Sequence, residues 1–233
     1  CYLAMREVPY LGFMVGNYGT RPLESKIAPI LKICMQRMLE DPAAPGRYAG
    51  MLGFYSSFIP DLHITLAPFH KLKGKNIDRE KIRDIVMSLK FQAAFAVTKK
   101  QLSELAAKAR PDLSKPFYVD CDMASSQGLA AVLSQRQDPE DPESHMPIAF
   151  WSRRFVDEEL RYGVRDQECL GIVCALKQWR HYLLGAKVIV RTDHRSLQWL
   201  LSTKHPDGSR VSAWACKVQG YDLEVQYVPG KLH

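Results

Sequence analysis

The stretch PFYVDCDMASSQGLAAVLS, residues 116–134, decides the fold. At Pro116 apolar side chains begin to recur at every second position, the period of a strand, so residues 117–121 and 128–134 read as two strands. Residues 147–152 make a third, after the acidic loop DPEDPES at 138–144. The period then becomes helical: across residues 165–184, Cys169, Ile172, Val173, Leu176 and Leu183 form one stripe, and Gly185 supplies the stop. Residues 187–192 are a β-branched strand, 209–220 a helix and 223–227 a last strand. Three strands, a helix, a strand, a helix and a strand make an α/β fold, a mixed sheet with helices packed on it.

Upstream of Pro116 the pattern differs. Residues 8–20 (VPYLGFMVGNYGT) read as a strand pair punctuated by Gly12, Gly16 and Gly19. Helical stretches are expected over 24–39, over 47–58 and from the Ala67-Pro68 step to about residue 73. Residues 78–110 read as mostly helical, with Ile82, Ile85, Leu89, Ala93 and Val97 on one face. The division is therefore expected near residue 113, with a mainly helical part at 1–113 and the α/β part at 114–233.

Charge follows the same division. Residues 1–115 carry 18 Lys and Arg against 10 Asp and Glu, whereas 116–233 carry 14 against 15, so the whole excess of the +7 chain lies in the first half. A basic part beside a near-neutral one fits a grip on a phosphate backbone, with Lys71, Lys73, Lys75, Lys99 and Lys100 as candidates. Solvated helix faces are the equal alternative. The six cysteines form no Cys-x-x-Cys pair and read as buried free thiols of a reducing, intracellular compartment. No apolar run is long enough to span a bilayer, so no membrane partner is expected.

Asp122 ends the first strand, Glu168 lies in the first turns of the long helix, and Asp193 ends the strand that follows. Hydrolysing a phosphodiester at neutral pH needs an activated water and a means of absorbing charge on the non-bridging oxygens, which two divalent cations supply. Such cations want oxygen ligands brought from separate elements. Those three positions can converge, although ordinary caps and turn formers are the alternative from spacing alone.

The stretches KPFYVDCD, GLAAVLSQ, PIAFWSRRF, RDQECLGIVCALKQWRHYLLG, VIVRTDHRSLQWLL and WACKVQGYDLEVQYVPGK resemble the ribonuclease H domain of Gypsy-type long-terminal-repeat retrotransposon polyproteins. VPYLGFMVGNYGTRPLESKI is similar to the primer-grip end of a reverse-transcriptase palm. RYAGMLGFYSSFIPDLHITLAPFHKL, with QAAFAVTKKQLSEL, is similar to the thumb and connection that follow. The resemblance covers essentially the whole chain. It implies a ribonuclease H-like mixed sheet, with Asp122, Glu168 and Asp193 as catalytic, metal-holding acids and Asp120 as the fallback for Asp122. It further implies two Mg²⁺ (or Mn²⁺) ions, cleavage of the RNA strand of an RNA–DNA hybrid, and a primer terminus positioned by Tyr10, Leu11 and Gly12. The remainder of the polyprotein is the expected partner, and the polymerase acids are expected upstream of Cys1.

Three departures from the family pattern carry expectations of their own. Met123 is one residue more than the family places between its Asp and the Gly that here is Gly128. Ser56 and Ser57 stand where the family's connection has two Arg. The family's final Asp follows the Pro-Gly-Lys that is here 229–231, beyond the sequence, so this chain is expected to be a weak nuclease with apolar sheet surface uncovered. A catalytically inactive nucleic-acid clamp is the rival reading. Trp151, Trp179, Trp199 and Trp214 read as core side chains first.

Overall fold

The computed structural model describes the chain except residues 1–4, 18, 73–77, 106–107, 123–127, 139, 142–143, 196, 199–209 and 230–233, and of Asp122 the backbone alone. Lys73, Lys75 and Trp199 thus lie outside the described residues. The chain divides into two compact units, Cys1–Lys108 and Ala109–His233.

The first unit opens with an antiparallel meander of β1 (Glu7–Tyr10), β2 (Phe13–Gly16) and β3 (Gly19–Pro22). Its first turn places Leu11 and Gly12 at φ of 48° and 90°. Both central residues are left-handed, the mirror-image turn whose twist suits a hairpin, and Gly12 adopts it without a Cβ clash. Helices follow: α1 (Glu24–Leu31), α2 (Met35–Glu40), α3 (Ala44–Gly53), α4 (Leu62–Thr65), α5 (Ala67–His70), α6 (Arg79–Met87) and α7 (Leu89–Ser103).

Two expectations are corrected here. The helix expected over 24–39 is two helices: α1 runs through Pro29 to Leu31, and the extended backbone at Cys34 separates it from α2. The helix expected over 78–110 breaks at Ser88, whose Oγ accepts from the Phe91 N–H and caps α7. The break resets the helical phase. Leu89 and Val97, expected on the buried face, are exposed, and Phe91, Ala94, Phe95, Thr98 and Leu102 are buried instead.

Aromatic rings centre this core, with Phe69 4.2 Å from Phe91 and Tyr48 5.1 Å from Phe95 between centroids. The buried Tyr48 hydroxyl meets Thr98 Oγ1 at 3.1 Å, so neither polar atom is stranded. Lys108 closes the unit by exchanging backbone hydrogen bonds of 3.0 and 3.1 Å with Thr20 of β3. Its ammonium donates to Ser57 Oγ at 2.6 Å and stands 3.6 Å from the Phe58 ring centroid. Burial pushes the Lys108 pKa down to about 8.

The second unit holds β4 (Phe117–Asp122), β5 (Gly128–Arg136), β6 (His145–Arg154), α8 (Val164–Gln178), α9 (Arg180–Leu183), β7 (Lys187–Thr192), α10 (Arg210–Val218) and β8 (Asp222–Tyr227). The sheet order is β6-β5-β4-β7-β8, antiparallel as far as β4 and parallel beyond it. This is the expected mixed α/β architecture. Phe117, Val119 and Cys121 alternate into one core with Cys169, Ile172 and Leu176 of α8. Gly171 lets that helix close on the sheet, since a Cβ there would lie 3.4 Å from Leu129 of β5.

The division falls at 108/109, ahead of the expected 113/114, because residues 109–115 are fastened to the second unit's own sheet. Ala109 N–H donates to the Pro147 carbonyl at 3.0 Å. The Gln135 amide accepts from Asp112 N–H at 2.9 Å and donates to the carbonyls of Asp112 and Lys115 at 2.7 and 3.1 Å. Among the described cysteines, all five are free, and Cys34 and Cys216 are exposed rather than buried, Cys34 in the extended link before α2 and Cys216 on α10. No described helix is long and apolar enough to cross a membrane.

The approach to α8 is held by a fork-to-fork pair. Arg153, near the end of β6, donates to both Glu159 oxygens at 2.6 and 2.9 Å, and Val156 N–H donates to the same carboxylate at 3.0 Å. The Glu159 carbonyl accepts from the side chain of buried Gln167 at 3.0 Å, so this loop is tied to the residue preceding Glu168. Arg153 holds the Glu159 carboxyl below its usual range.

Two stability tests follow from these charges. A lysine whose folded pKa is depressed penalises the fold below that pKa and ceases to above its unfolded value. Lys108→Met is therefore expected to raise the melting temperature relative to the native chain below pH 8, with the difference shrinking toward pH 10. Glu159 has the opposite sign: its contribution is full above its unfolded pKa and is lost as pH falls through the depressed folded one. Glu159→Gln should cost about 2 kcal/mol at neutral pH, and pH-dependent denaturation should show that cost fading in acid.

Candidate active site

Strand direction brings the three acids to one end of the sheet. β4 and β7 are parallel, in register from Phe117 opposite Val188 to Asp120 opposite Arg191. Asp122 is the last residue of β4 and Asp193 the first after β7, each two residues beyond that last rung. Neighbouring strands lie about 4.8 Å apart. β6 runs antiparallel to β5 and finishes at Arg154 opposite Gly128, at the same edge. The chain enters α8 from there, so Glu168, fifth residue of that helix, lies near the edge, one turn before the Gly171 that meets Leu129.

The three positions differ in environment. Glu168 is 6% exposed, held in the second turn of α8 among the core residues Cys169 and Ile172. Asp193 is exposed. Its turn is fixed by Thr192, whose buried Oγ1 accepts from His194 N–H at 3.1 Å while its carbonyl accepts from Val228 N–H at 2.9 Å. Leu197 N–H donates to the His194 carbonyl at 3.0 Å, giving His194 a turn-forming place. Arg195 stacks 4.7 Å from the Tyr227 ring centroid at the end of β8.

The donor set suits a hard divalent cation: carboxylates at the edge, and beside them Cys169, whose thiol burial pushes up to about 12. No thiolate competes at neutral pH. Among the residues whose side chains are described, no three His, Cys, Asp or Glu form a metal-sized group, a set that does not include the Asp122 side chain.

Asp120 has a different occupation from the fallback role expected of it. Arg191 grips both its oxygens, through Nε to Oδ1 and through Nη2 to Oδ2 at 2.6 Å. Arg191 Nη1 lies 3.1 Å from His145 Nε2, and His145 Nδ1 lies 3.2 Å from Ser134 Oγ. The sequence signal for this pair is simple in hindsight: an acid and a base, each two residues before a candidate acid on strands of equal length.

The other candidates lie in the first unit. Tyr10 and Leu11 are exposed at the β1–β2 turn, 64% and 74%, and Gly12 faces the Phe54 ring, which stacks on Phe13 at 5.1 Å. Lys71 is exposed just past α5 and Lys100 on α7, while Lys99 is half-buried with its ammonium 5.1 Å from the Phe95 ring centroid. Trp179 and Trp214 are buried and Trp151 is packed against the core, as expected of core side chains.

Comparison with known proteins accords with this geometry. Residues 112–221 match the family described as the RNase H-like domain found in reverse transcriptase. The chain is 31% identical over 233 residues to the retrovirus-related Pol polyprotein from transposon 297 of Drosophila melanogaster, covering 99% of this chain and 20% of that protein. It is 24% identical over 236 residues to the transposon Tf2-3 polyprotein of Schizosaccharomyces pombe, covering 100% of this chain and 17% of that one. The chain thus spans a fifth or less of those relatives. Among solved structures, the foamy viral protease-reverse transcriptase in complex with dsDNA superposes with a TM-score of 0.73 at 18% identity, over 97% of this chain and 45% of that one. The same protein in complex with an RNA/DNA hybrid gives 0.70 at 18% identity, over 97% and 29%. At that identity the likeness speaks for the fold alone. Residues 112–221 thus carry an RNase H-like domain of the kind found in reverse transcriptase, and the chain as a whole is similar to the reverse transcriptase and RNase H-like region of retrotransposon polyproteins.

Proposed function

We propose that the second unit cleaves the RNA strand of RNA–DNA hybrids by ribonuclease H-type hydrolysis, leaving a 3′-hydroxyl and a 5′-phosphate. The observation that carries this is the parallel register of β4 and β7, whose last rung, Asp120 opposite Arg191, lies two residues before Asp122 and Asp193 alike, at the end of the sheet where α8 begins. Asp122, Glu168 and Asp193 would hold Mg²⁺ or Mn²⁺ there, and the ions would supply an activated water and charge against the non-bridging oxygens. The carboxylates' task is to bind and space those charges. The first unit is read as the end of the palm, the thumb and the connection, with Tyr10, Leu11 and Gly12 at the primer terminus and Lys71, Lys73, Lys75, Lys99 and Lys100 on the backbone. The hybrid would be recognised by shape, phosphates and 2′-hydroxyls, without base reading. The rest of the polyprotein, with its polymerase acids, is the proposed partner, and an intracellular setting the proposed location.

A labelled RNA–DNA hybrid incubated with this chain in Mg²⁺ tests the reading, beside the same chain continued into the polyprotein. Cleavage is expected, and should vanish with chelator or with Asp122→Asn while hybrid binding persists. Cleavage unchanged by Asp122→Asn would overturn the site assignment. Binding by both without cleavage by either would favour the inactive clamp. Hybrid affinity, measured from low to physiological salt without divalent ions, should fall with a log–log slope of several units. A flat response would overturn the basic-surface reading.

A further inference from the structure

We propose that the Asp120–Arg191 ion pair is a positioning element that sets the gap between the ends of β4 and β7, and so the spacing of Asp122 and Asp193. The inference rests on the reading of that edge as a metal site. Its first support is where the ladder stops. The parallel pairing of β4 with β7 runs four rungs and its last is Asp120 opposite Arg191. Beyond it each strand continues only in the ladder with its other neighbour: β4 pairs with β5 as far as Asp122 opposite Ala130, and β7 pairs with β8 as far as Thr192 opposite Tyr227. The ion pair therefore occupies the last rung of the ladder, two residues before each of the two acids.

The second support is the chemistry at that rung. Parallel pairing is the weaker ladder per residue, so the last rung of a short one is where fraying would begin. A guanidinium holding both carboxylate oxygens fixes distance and orientation together, which a single hydrogen bond or an apolar contact does not. The pair is part-buried, with side chains 23% and 15% exposed, and its row continues into Val132 and Phe150. Apolar side chains would suit that row at lower desolvation cost. Charged pairs held in such places are best explained where they specify geometry.

The third support is bracing from the far side. Arg191 and Arg136 only donate, so His145 Nε2, 3.1 and 3.4 Å from them, is the acceptor, and Nδ1–H faces Ser134 Oγ. Tyr118, one strand period before Asp120, meets the His145 ring edge-on at 4.5 Å. Arg191 is thereby held against β6 as well as β4.

The test compares Asp120→Asn, Arg191→Met and Arg191→Lys with the native chain and with Asp122→Asn. Mn²⁺ affinity is read by electron paramagnetic resonance without nucleic acid, followed by melting temperature and by kcat and KM on the hybrid. Asp120→Asn and Arg191→Met are expected to weaken Mn²⁺ binding about tenfold. Both should lower kcat while leaving KM for the hybrid unchanged. Arg191→Lys, which keeps the charge and loses the fork, should fall between. Native Mn²⁺ affinity in a folded Asp120→Asn chain, with binding lost in Asp122→Asn, would overturn the positioning role and leave the metal site standing. Mn²⁺ binding unaffected by Asp122→Asn would overturn the metal-site reading itself, and the inference with it. Should Arg191→Met fail to fold, the isosteric Asp120→Asn decides.

Discussion

The parallel alignment of β4 with β7 is the constraint on which the second unit depends. Parallel neighbours cannot be joined by a tight turn, so the chain must return to the start of the sheet before β7 can begin, and α8 makes that return. A helix making the journey has to start at the edge where β4 ends. One choice of strand direction therefore delivers the ends of β4 and β7 and the first turns of α8 to the same place. In open sheets that place, beyond the carboxyl ends of neighbouring strands whose other partners differ, is where ligands are held.

What surrounds the edge is consistent with it. Buried Cys169 stays a thiol, leaving oxygen as the donor chemistry of the helix's first turns. The Arg153–Glu159 fork ties the end of β6 to the loop whose carbonyl receives Gln167, so the helix bearing Glu168 is anchored at its entry. Gly171 brings the helix backbone close to β5, where an added Cβ would reach the Leu129 side chain at 3.4 Å. Each device acts on an element's placement rather than on an acid directly. Rigid elements with short supporting contacts are how a site keeps its spacing.

In the first unit, a lysine is taken up by the fold instead of being offered to a ligand. Lys108 belongs to the basic excess of the N-terminal half, yet its ammonium is spent on Ser57 and the Phe58 ring while its backbone extends the meander by one bridge. Charge counted along a sequence thus overstates the charge offered to a ligand. Lys99 shows the same on a smaller scale, its ammonium held near Phe95.

The sequence by itself determined the element order of the second unit, its strand-to-helix alternation and the positions of Asp122, Glu168 and Asp193 at element ends, because periods of two and 3.6 record which side chains are buried. It also carried the family resemblance, through motifs spread over the whole chain. It misjudged the helices of the first unit at Cys34 and Ser88, since a single extended residue or cap shifts the phase of everything after it. Only the tertiary structure decided that Asp120 belongs to Arg191, that the Lys108 ammonium is taken up by Ser57 and the Phe58 ring, and that residues 109–115 are fastened to the sheet through Gln135. These are pairings between residues 71, 51 and 23 positions apart. Local periodicity holds no information about such partners; they are chosen when strands and helices pack.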